Sequence, residues 1–579
     1  MPETVAIPEA RRSDLVAFKL LADGVEVPPE VELLSAEVVF AVNRVPHARF
    51  VFRDGDVATG TFALSESDAL APGVEIEFQL GYHEELNPVF KGRVTRHGIS
   101  LRNGRPSQLV IECRHPAFQM TLTRRCRQFN DQTDSDIASS LLGEYGLAGE
   151  VASATVTHSQ MVQYAATDWD FLLRRARANG WVVVPGIETV SVREPDYDAD
   201  PSLGLGPGGV IELFEGGIEA RDQPGSVVAA AWDPAAQERI ESTAESAVEP
   251  EAGQPDGARL AGGIGFEAQH VWHGGALASD ELEQWAARSL FRHRLAKLRA
   301  RARCQGTAAI RPGGMVRLEG LGARFNGATY VAAVRHEITT GTWRTDCQLG
   351  LDPSWFPWAE EGAQPAAGLL PSPHGLQVGR VIALEGDPAS GERIQVGLPV
   401  THPEGLWARL ATLEAGADRG HVFRPEIGDE VVVGFLEGDP RHPVVLGALH
   451  SAANAAPIPA SDDNHEKGYT SRSGMKVHFN DDTKVLTLST EAGNRVVLSE
   501  AEQGITLEDQ NGNRIVLSPD GIVIESQNAI EIKATADGRF EAVNLNLNAQ
   551  AQAKVEGGAQ TELSSSGTTT VRGSLVQIN

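Results

Sequence analysis

The sequence predicts a mainly β protein of several domains, and three observations support that prediction. Apolar and polar residues alternate along much of the 579-residue chain, and this period of two places every second side chain on one face of a strand. Sixty glycines and 32 prolines supply turns, while aromatic residues make up only 6% of the chain. A chain of this length exceeds what a single hydrophobic core supports, so several domains are expected.

Two barrel-like β domains with a helical insert between them are predicted for the first part of the chain. We place the first barrel at residues 1–130, the insert at residues 131–200 and the second barrel at residues 201–360. In the insert, cap residues begin one helix at Asp134, and a Thr-x-x-Asp capping pattern begins another at Thr167.

Two further features are predicted within the second barrel. Leucines and a tryptophan at helical spacing indicate a helix from Ser279 to about Arg303. An acidic stretch rich in alanine, glutamate and proline, from Pro234 to Gly257, is expected to be an exposed loop.

A linker and a small barrel follow. Residues 361–374 are rich in proline, glycine and alanine, which is typical of a linker. Residues 375–450 show short strands separated by glycine and proline, and their five-strand rhythm fits an OB-fold.

The last domain, residues 451–579, is predicted to be a fibrous β-needle. From Lys484 onward, apolar pairs two residues apart recur between turn signals, and the unit Gly493–Ser499 is nearly copied as Gly512–Ser518. Each strand has one apolar face that nothing in this stretch can cover, so we expect three chains to intertwine as a β-helix and bury these faces together. The residues predicted to line the shared axis are Leu486, Leu488, Val496, Leu498, Ile505, Leu507, Ile515, Leu517, Ile522, Ile524, Ile530 and Ile532.

Composition excludes several classes of function. The formal charge of −28 argues against nucleic-acid or anionic-membrane binding, because both depend on Lys and Arg neutralising phosphates. The four cysteines lack metal-ligand spacing and are expected to be reduced, buried thiols. No signal-peptide pattern opens the chain, so we expect synthesis in the cytoplasm and release by another route.

No catalytic, cofactor-binding or metal site is predicted. Gly204-x-Gly206-x-x-Gly209 matches a dinucleotide fingerprint but runs into a strand instead of a helix. Asp196-x-Asp198-x-Asp200 lacks the glycine and the closing glutamate of a calcium loop. We therefore expect both segments to be surface loops.

Two motifs in the OB region carry a resemblance to a known family. Gly379–Pro399 opens that region, and Phe423–Gly447 closes it with the turn Gly438-Asp439-Pro440. In this order the segments resemble VgrG proteins, the spikes of contractile injection systems. The segments around Asp168–Arg175 and Phe325–Val331 are similar to the hub domains of the same family. The sequence from Val42 through His83 resembles the spikes of extracellular, phage-tail-like particles more than those of type VI secretion.

The resemblance implies an assembly and its partners. It implies a homotrimer whose two hub barrels per chain form a pseudo-sixfold ring on the inner tube and baseplate hub proteins. It also implies a PAAR-type tip protein docked on Val576, Ile578 and Asn579, possible effector cargo, and only transient contact with the target membrane. The implied function is a spike that pierces an envelope on sheath contraction, within a particle that is released from the cell.

Two alternative functions make specific demands on the sequence. A trimeric β-helical tailspike enzyme that degrades surface polysaccharide needs two carboxylates in a groove lined by aromatic residues. Past Lys484 the sequence has a single aromatic residue, Phe540, which argues against such a cleft. A nucleic-acid-binding OB-fold needs a basic stripe with interleaved aromatic residues, and that pattern is missing.

Overall fold

The computed structural model of the protein describes residues 15–578, apart from residues 29, 57–58, 83–84, 104, 208–210, 234–235, 237, 274–276, 340 and 352–364. The chain divides into two compact units, Met1–Asn454 and Ala455–Asn579, which are called the N-terminal unit and the C-terminal unit. The predicted mainly β fold class is confirmed.

The first strands of the N-terminal unit form an antiparallel sheet in the order β3-β4-β7-β6-β5-β1-β2. The bounds are β1 (Val16–Ala22), β2 (Val25–Glu26), β3 (Leu33–Ala41), β4 (His47–Arg53), β5 (Glu75–Tyr82), β6 (Glu85–Ser100) and β7 (Gln108–Arg114). Side chains of β5 point alternately into the core and away from it, so Ile76, Phe78 and Leu80 are buried while Glu75, Glu77 and Gln79 are only partly buried.

A helical insert follows, with a core of its own around Trp169 and Phe171. Its elements are β8 (Arg124–Phe129), β9 (Gln132–Thr133), α1 (Asp134–Glu144), β10 (Ala148–Val151), β11 (Thr157–His158), β12 (Met161–Thr167), α2 (Asp168–Ala178), β13 (Val182–Pro185) and β14 (Val190–Arg193). Both helices begin where the sequence predicted. Thr133 caps α1 by accepting the Asp136 N–H, and Thr167 caps α2 by accepting the Asp170 N–H.

The second β region joins the first through one continuous sheet, because β22 pairs with β3. Its elements are β15 (Gly204–Leu205), β16 (Ile211–Ile218), β17 (Ser226–Asp233), β18 (Glu238–Ala244), α3 (Gly257–Ile264), β19 (Ala268–His273), α4 (Ser279–Leu295), β20 (Leu298–Gln305), β21 (Met315–Leu318), β22 (Gly327–Thr339) and β23 (Thr342–Leu349). Arg335 Nη2 of β22 donates to Glu37 Oε2 of β3 at 2.6 Å across the seam.

Two expectations for this region were wrong. The helix ends at Leu295 instead of Arg303, because Leu298–Gln305 alternates with a period of two and forms strand β20. The acidic stretch is only partly a loop, since Glu238–Ala244 is strand β18. Within its remainder, Glu249 accepts from the buried Arg294 and Lys297 at 3.0 and 2.7 Å, so that carboxylate anchors the segment.

Two sequence features extend beyond the described residues. Pro234 of the acidic stretch and Gly209 of the glycine motif lie outside them, while Gly204 and Leu205 form strand β15. The first part of the predicted linker also lies outside. Its later residues Leu369 and Leu370 are buried, and their carbonyls accept from Arg175 and Arg174 at 3.4 and 3.0 Å.

A closed barrel in the order β24-β25-β26-β30-β29 completes the N-terminal unit. The bounds are β24 (Gln377–Ala383), β25 (Arg393–Leu398), β26 (His402–Leu410), β27 (Ala415–Gly416), β28 (Arg419–Gly420), β29 (Glu430–Phe435) and β30 (Pro443–Ala448). Val381, Val396, Leu406 and Val433 fill its interior, as the five-strand OB prediction requires.

The C-terminal unit begins with an antiparallel meander of short strands. They are β31 (Glu466–Thr470), β32 (Lys476–Asn480), β33 (Val485–Ser489), β34 (Arg495–Ser499), β35 (Gly504–Glu508), β36 (Arg514–Ser518) and β37 (Gly521–Glu525). Residues 526–578 form no strand or helix, although every one of them is described. The meander therefore forms a hydrogen-bonded sheet within one chain, whereas the tail forms no strands that could pair.

Candidate functional site

The predicted axis residues of the meander lie on one face of its sheet. Residues directly opposite in an antiparallel pair share a face, as do residues two apart in a strand. The strand registers therefore place these side chains in two parallel rows. The rows are Leu486–Leu498–Ile505–Leu517–Ile522 and Leu488–Val496–Leu507–Ile515–Ile524, and together they are called the apolar face.

Within one chain the apolar face remains open to solvent. Leu507 is 40% exposed, Ile515 is 38% exposed and Ile522 is 69% exposed, although side chains of this size are usually buried. A groove of about 820 Å³ follows the second row and is flanked by turn residues such as Asn494 and Asn513. An apolar surface of this length is typical of an interaction site.

The opposite face of the same strands is more polar. Arg495 Nε donates to Glu508 Oε2 at 2.8 Å, and Arg514 Nε donates to Glu525 Oε2 at 2.6 Å, each across neighbouring strands. All four side chains are solvent-accessible, so water screens each pair and it contributes little to the stability of the sheet. The sheet therefore has one face suited to water and one suited to burial.

Stacked turns hold the copied repeat in register. Gly493 and Gly512 adopt φ values of 103° and 83°, a left-handed region that favours glycine. Asn494 Oδ1 accepts the Gln510 N–H at 3.1 Å, and Asn513 Oδ1 accepts the Gln527 N–H at 2.9 Å. The sequence analysis did not find this role, although an asparagine at the same place in both copies was the available signal.

The tail beyond Glu525 repeats every eight residues, with one seven-residue repeat. The backbone bends at 527–528, 535–536, 543–544, 550–551, 558–559, 566–567 and 574–575. One apolar residue recurs at the same spacing, as Ile532, Phe540, Leu547, Val555, Leu563 and Val571. A small residue opens each repeat, as Ser526, Ala534, Ala542, Ala549, Gly557, Ser565 and Gly573. The sequence analysis missed this period.

The backbone of the tail is not hydrogen-bonded to itself. Among residues 530–578 no backbone N–H donates to a backbone carbonyl. The predicted axis residues Ile530 and Ile532 lie here and are 55% and 74% exposed. Of the predicted tip residues, Val576 and Ile578 are exposed, and Asn579 lies outside the described residues. A stretch of backbone with unpaired donors and acceptors is incomplete as a fold and requires partners.

A second notable cluster, of buried charges, lies in the N-terminal unit at the turn Gly438-Asp439-Pro440. Asp439 is fully buried, and Arg441 donates to its Oδ2 at 2.9 Å through Nη2. Arg441 also donates to Glu281 of α4 at 3.0 Å, and His273 of β19 lies 3.0 Å from the Asp439 carboxylate. Burial opposes the charge of Asp439, but Arg441 and His273 hold the pKa of this carboxyl well below its usual range. The cluster ties the OB barrel to the second β region.

In the part of the chain that the structure describes, no three His, Cys, Asp or Glu side chains are grouped so that they could hold a metal ion. Among the described residues, no helix is both long and apolar enough to span a bilayer.

Three family profiles match the chain. The Alg8 N-terminal domain matches residues 12–340. The type VI secretion system/phage-baseplate injector OB domain matches residues 377–450. The phage baseplate V C-terminal trimerisation domain matches residues 485–579, which include the apolar face and the tail.

Curated relatives include two type VI secretion system spike proteins. The chain is 29% identical over 143 residues to the type VI secretion system spike protein VgrG3 of Vibrio cholerae, which is 23% of this chain and 14% of the relative. It is 36% identical over 78 residues to VgrG1c of Pseudomonas aeruginosa, which is 13% of this chain and 11% of that protein. The matches thus span a small part of these relatives.

A similar fold is found in two structures of PdpA–VgrG complexes. A chain of the lidless complex has a TM-score of 0.53 at 9% identity and covers 86% of this chain and 98% of its own length. A chain of the lidded Francisella complex has a TM-score of 0.52 at 9% identity and covers 89% of this chain and 80% of its own. The Alg8 N-terminal domain spans more than half of the 579 residues, so the chain belongs to that family, and with its OB and trimerisation domains it is a VgrG-like spike protein.

Proposed function

We propose that the chain is the structural spike of an injection system related to phage tails and type VI secretion, and that it works as a homotrimer. The observation that carries this proposal is the unpaired backbone of the tail, together with the open apolar face of the meander. Neither can be satisfied within one chain. The trimerisation-domain match covers both regions and supports three copies as the partners.

Burial of the apolar face supplies the driving force for this assembly. A large aliphatic side chain contributes about 1.5–3 kcal/mol when fully buried, so each side chain that is about two-fifths exposed still has about 1 kcal/mol to gain. Summed over the two rows, this amounts to about 10 kcal/mol per chain. Three sheets that turn their apolar faces to a common axis would form a stiff prism whose outer surface carries the Arg–Glu pairs.

The remaining parts of the proposal rest on the resemblance to VgrG spikes. The two N-terminal β regions would seat on the inner tube and the baseplate hub proteins, with the OB barrel leading into the needle. Val576, Ile578 and Asn579 would dock a PAAR-type tip protein. Sheath contraction would then drive the needle through a target envelope, with effector cargo attached to the hub or the tip. The chain would be released as part of the particle.

Two variants that differ only in the face they alter test the proposal. Ile515→Asp with Leu517→Asp places two carboxylates on the apolar face of β36, whereas Val516→Asp with Ser518→Asp places two on the opposite face. Light scattering after size-exclusion chromatography would measure the mass of each assembly, and calorimetry its melting temperature. We expect the first variant to be monomeric and the second to remain trimeric. A heat-resistant trimer of the first variant would contradict the buried-axis proposal.

A further inference from the structure

A β-hairpin of the OB barrel is exposed along its whole length. It comprises residues 411–424, which are called the arm, and it contains the strands β27 and β28. Within the arm, the His421 N–H donates to the Glu414 carbonyl at 2.9 Å, and Thr412 Oγ1 donates to the His421 carbonyl at 3.0 Å. Every residue of the arm is exposed, so the arm packs against no core. A two-stranded hairpin alone is only marginally stable in water, so we expect the arm to need a partner surface.

The arm carries large apolar side chains in this exposed position. Leu413, Val422 and Phe423 are 92%, 72% and 62% exposed. The bond between His421 and Glu414 continues the register of β27 with β28, and one further step places Leu413 opposite Val422. Residues opposite each other in an antiparallel pair share a face. Leu413 and Val422 therefore form an apolar pair on one face of the arm, and within one chain this pair remains in water.

A second apolar patch lies on the outside of the same barrel. Leu376, Val378 and Leu446 are 64%, 49% and 51% exposed, and together they are called the barrel patch. The side chains of Leu376 and Leu446 meet over Gly434, because a methyl group placed there would lie 3.5 and 3.4 Å from their Cδ atoms. Val378 lies opposite Val432, which is half-buried. Outward positions of a small barrel are ordinarily polar, so this pattern indicates a contact surface.

The two patches together meet a requirement of threefold association. Each contact in a cyclic trimer is heterologous, so each copy must offer two different surfaces. Residues 449–465 connect the barrel to the C-terminal unit and span at most about 60 Å when fully extended. Three chains joined through the trimerisation domain would therefore present their barrels to one another at an effective concentration on the order of millimolar. A second copy of this chain is thus the partner that the arm encounters at the highest concentration.

We propose that the arm of each copy docks on the barrel patch of the next copy around the trimer. The docking rests on the homotrimer of the proposed function and adds to it a contact within the N-terminal unit. The apolar pair Leu413 and Val422 covers the barrel patch, and removal of both surfaces from water supplies the driving force. In a closed ring of three, every arm and every barrel patch is used once.

Disulfide trapping between chains tests this contact. Full-length chains with Leu413→Cys and full-length chains with Val378→Cys carry different affinity tags and are co-expressed. Diamide then oxidises the thiols and accepts the two protons and two electrons that each pair releases. The two new cysteines are in different chains, so a bond between them joins two copies. We expect a dimer with both tags on non-reducing electrophoresis, and its absence from the trimer would overturn the proposal.

Two controls show that the trapped dimer reports the docked arm. Val400→Cys in place of Leu413→Cys puts a thiol at an equally exposed site of the barrel, since Val400 is 94% exposed and lies outside the arm. We expect it to form no dimer with Val378→Cys chains. The unaltered protein should also form none, because three of its four cysteines are buried and Cys126 is half-buried. Equal trapping with Val400→Cys would contradict the proposal.

Trypsin gives a second measurement that needs no new cysteine. The Arg419–Gly420 bond lies in β28, and an arm that is docked on a neighbour is protected from the protease. Leu413→Asp should release the arm and raise the rate of cleavage at Arg419 by about tenfold or more. Val400→Asp is the matched control, because it adds the same charge at an equally exposed apolar residue outside both patches. Equal rates for the two variants would contradict the docking.

Light scattering of the same samples separates this contact from the spike function. We expect the unaltered protein and the Leu413→Asp variant to be trimers, because the C-terminal unit joins the chains in both. A trimer that forms no dimer with both tags would overturn the docked arm and leave the proposed function standing. A monomeric unaltered protein would overturn both.

Discussion

Asp439 shows how much one buried side chain can contribute to the arrangement of domains. Its carboxylate lies out of contact with water and joins Arg441, His273 and, through Arg441, Glu281. These groups come from the OB turn, from β19 and from α4. A buried ion pair is costly to form, but removing one member is costlier still because the partner charge is left alone.

We predict that Asp439→Asn destabilises the N-terminal unit by about 3–5 kcal/mol, because Arg441 keeps a buried charge with one carboxylate fewer. Urea unfolding followed by tryptophan fluorescence would measure the change. Glu392→Gln is the matched control in the same barrel, since Glu392 pairs with Arg424 while its side chain is 85% exposed. The control should change stability by less than about 1 kcal/mol. A similar small effect for both variants would mean that Asp439 does not join the two regions.

Sequence reasoning identified the Gly438-Asp439-Pro440 turn but not the role of its aspartate. The turn is local, and glycine beside proline signals it directly. The partners of Asp439 are not local, since His273 lies 166 residues away and Glu281 lies 160 residues from Arg441. The ion pairs of Glu249 with Arg294 and Lys297 escaped prediction for the same reason.

At the level of elements, the meander was predictable because each strand shows its period of two within five residues. The end of α4 was not, since Leu295 and Leu298 are three residues apart and fit a helix as well as a strand. The tail was expected to continue the apolar pairs of the meander, and its eight-residue period was not predicted because one apolar position in eight is too sparse for either common period. A search for longer internal periods would have found it.

The repeat of the tail leads to a test by deletion. Removing residues 557–564 takes out one complete repeat and leaves Val555 and Val571 separated by a single repeat length, whereas removing residues 557–560 leaves half a repeat. We expect the first deletion to keep a trimer that resists heat, and the second to melt at a lower temperature because every later apolar residue is displaced from its position. Calorimetry and electrophoresis without boiling would compare them. Equal melting of both deletions would show that the period has no role in assembly.

At the level of the whole molecule, the two N-terminal β regions act as one body because β3 and β22 pair along their length. This seam could not be predicted, since Glu37 and Arg335, which bridge it, are 298 residues apart. The sequence indicated two barrels and was right about the class of fold, but sheet continuity depends on long-range pairing that a local pattern does not record.

Stability of the N-terminal unit should depend on pH through three histidines, of which His115 and His336 are buried and His293 is half-buried. Burial lowers the pKa of His115, His293 and His336 to about 4 in each case. The unfolded chain binds a proton at each near pH 6.5, so between pH 6.5 and 4 the unfolded state holds more protons. Stability is therefore full above pH 6.5 and falls as the pH is lowered, by at most about 4 kcal/mol per pH unit for the three together.

Urea unfolding at a series of pH values from 7.5 to 4.5 would measure this dependence. His336→Gln removes one of the three groups and should lower the slope by about a third, provided that the variant folds. A free energy of unfolding that stays constant between pH 6.5 and 4.5 would show that these histidines are not held neutral in the folded protein.

The unpaired backbone of the tail also has a genetic consequence. In the proposed trimer, one chain with a defective tail leaves the tails of the two normal chains without their hydrogen-bonding partners. Co-expression of equal amounts of normal and tail-defective chains would then leave roughly one in eight trimers free of a damaged copy. Such an allele would be dominant-negative, and the loss of intact trimers would increase with its level of expression.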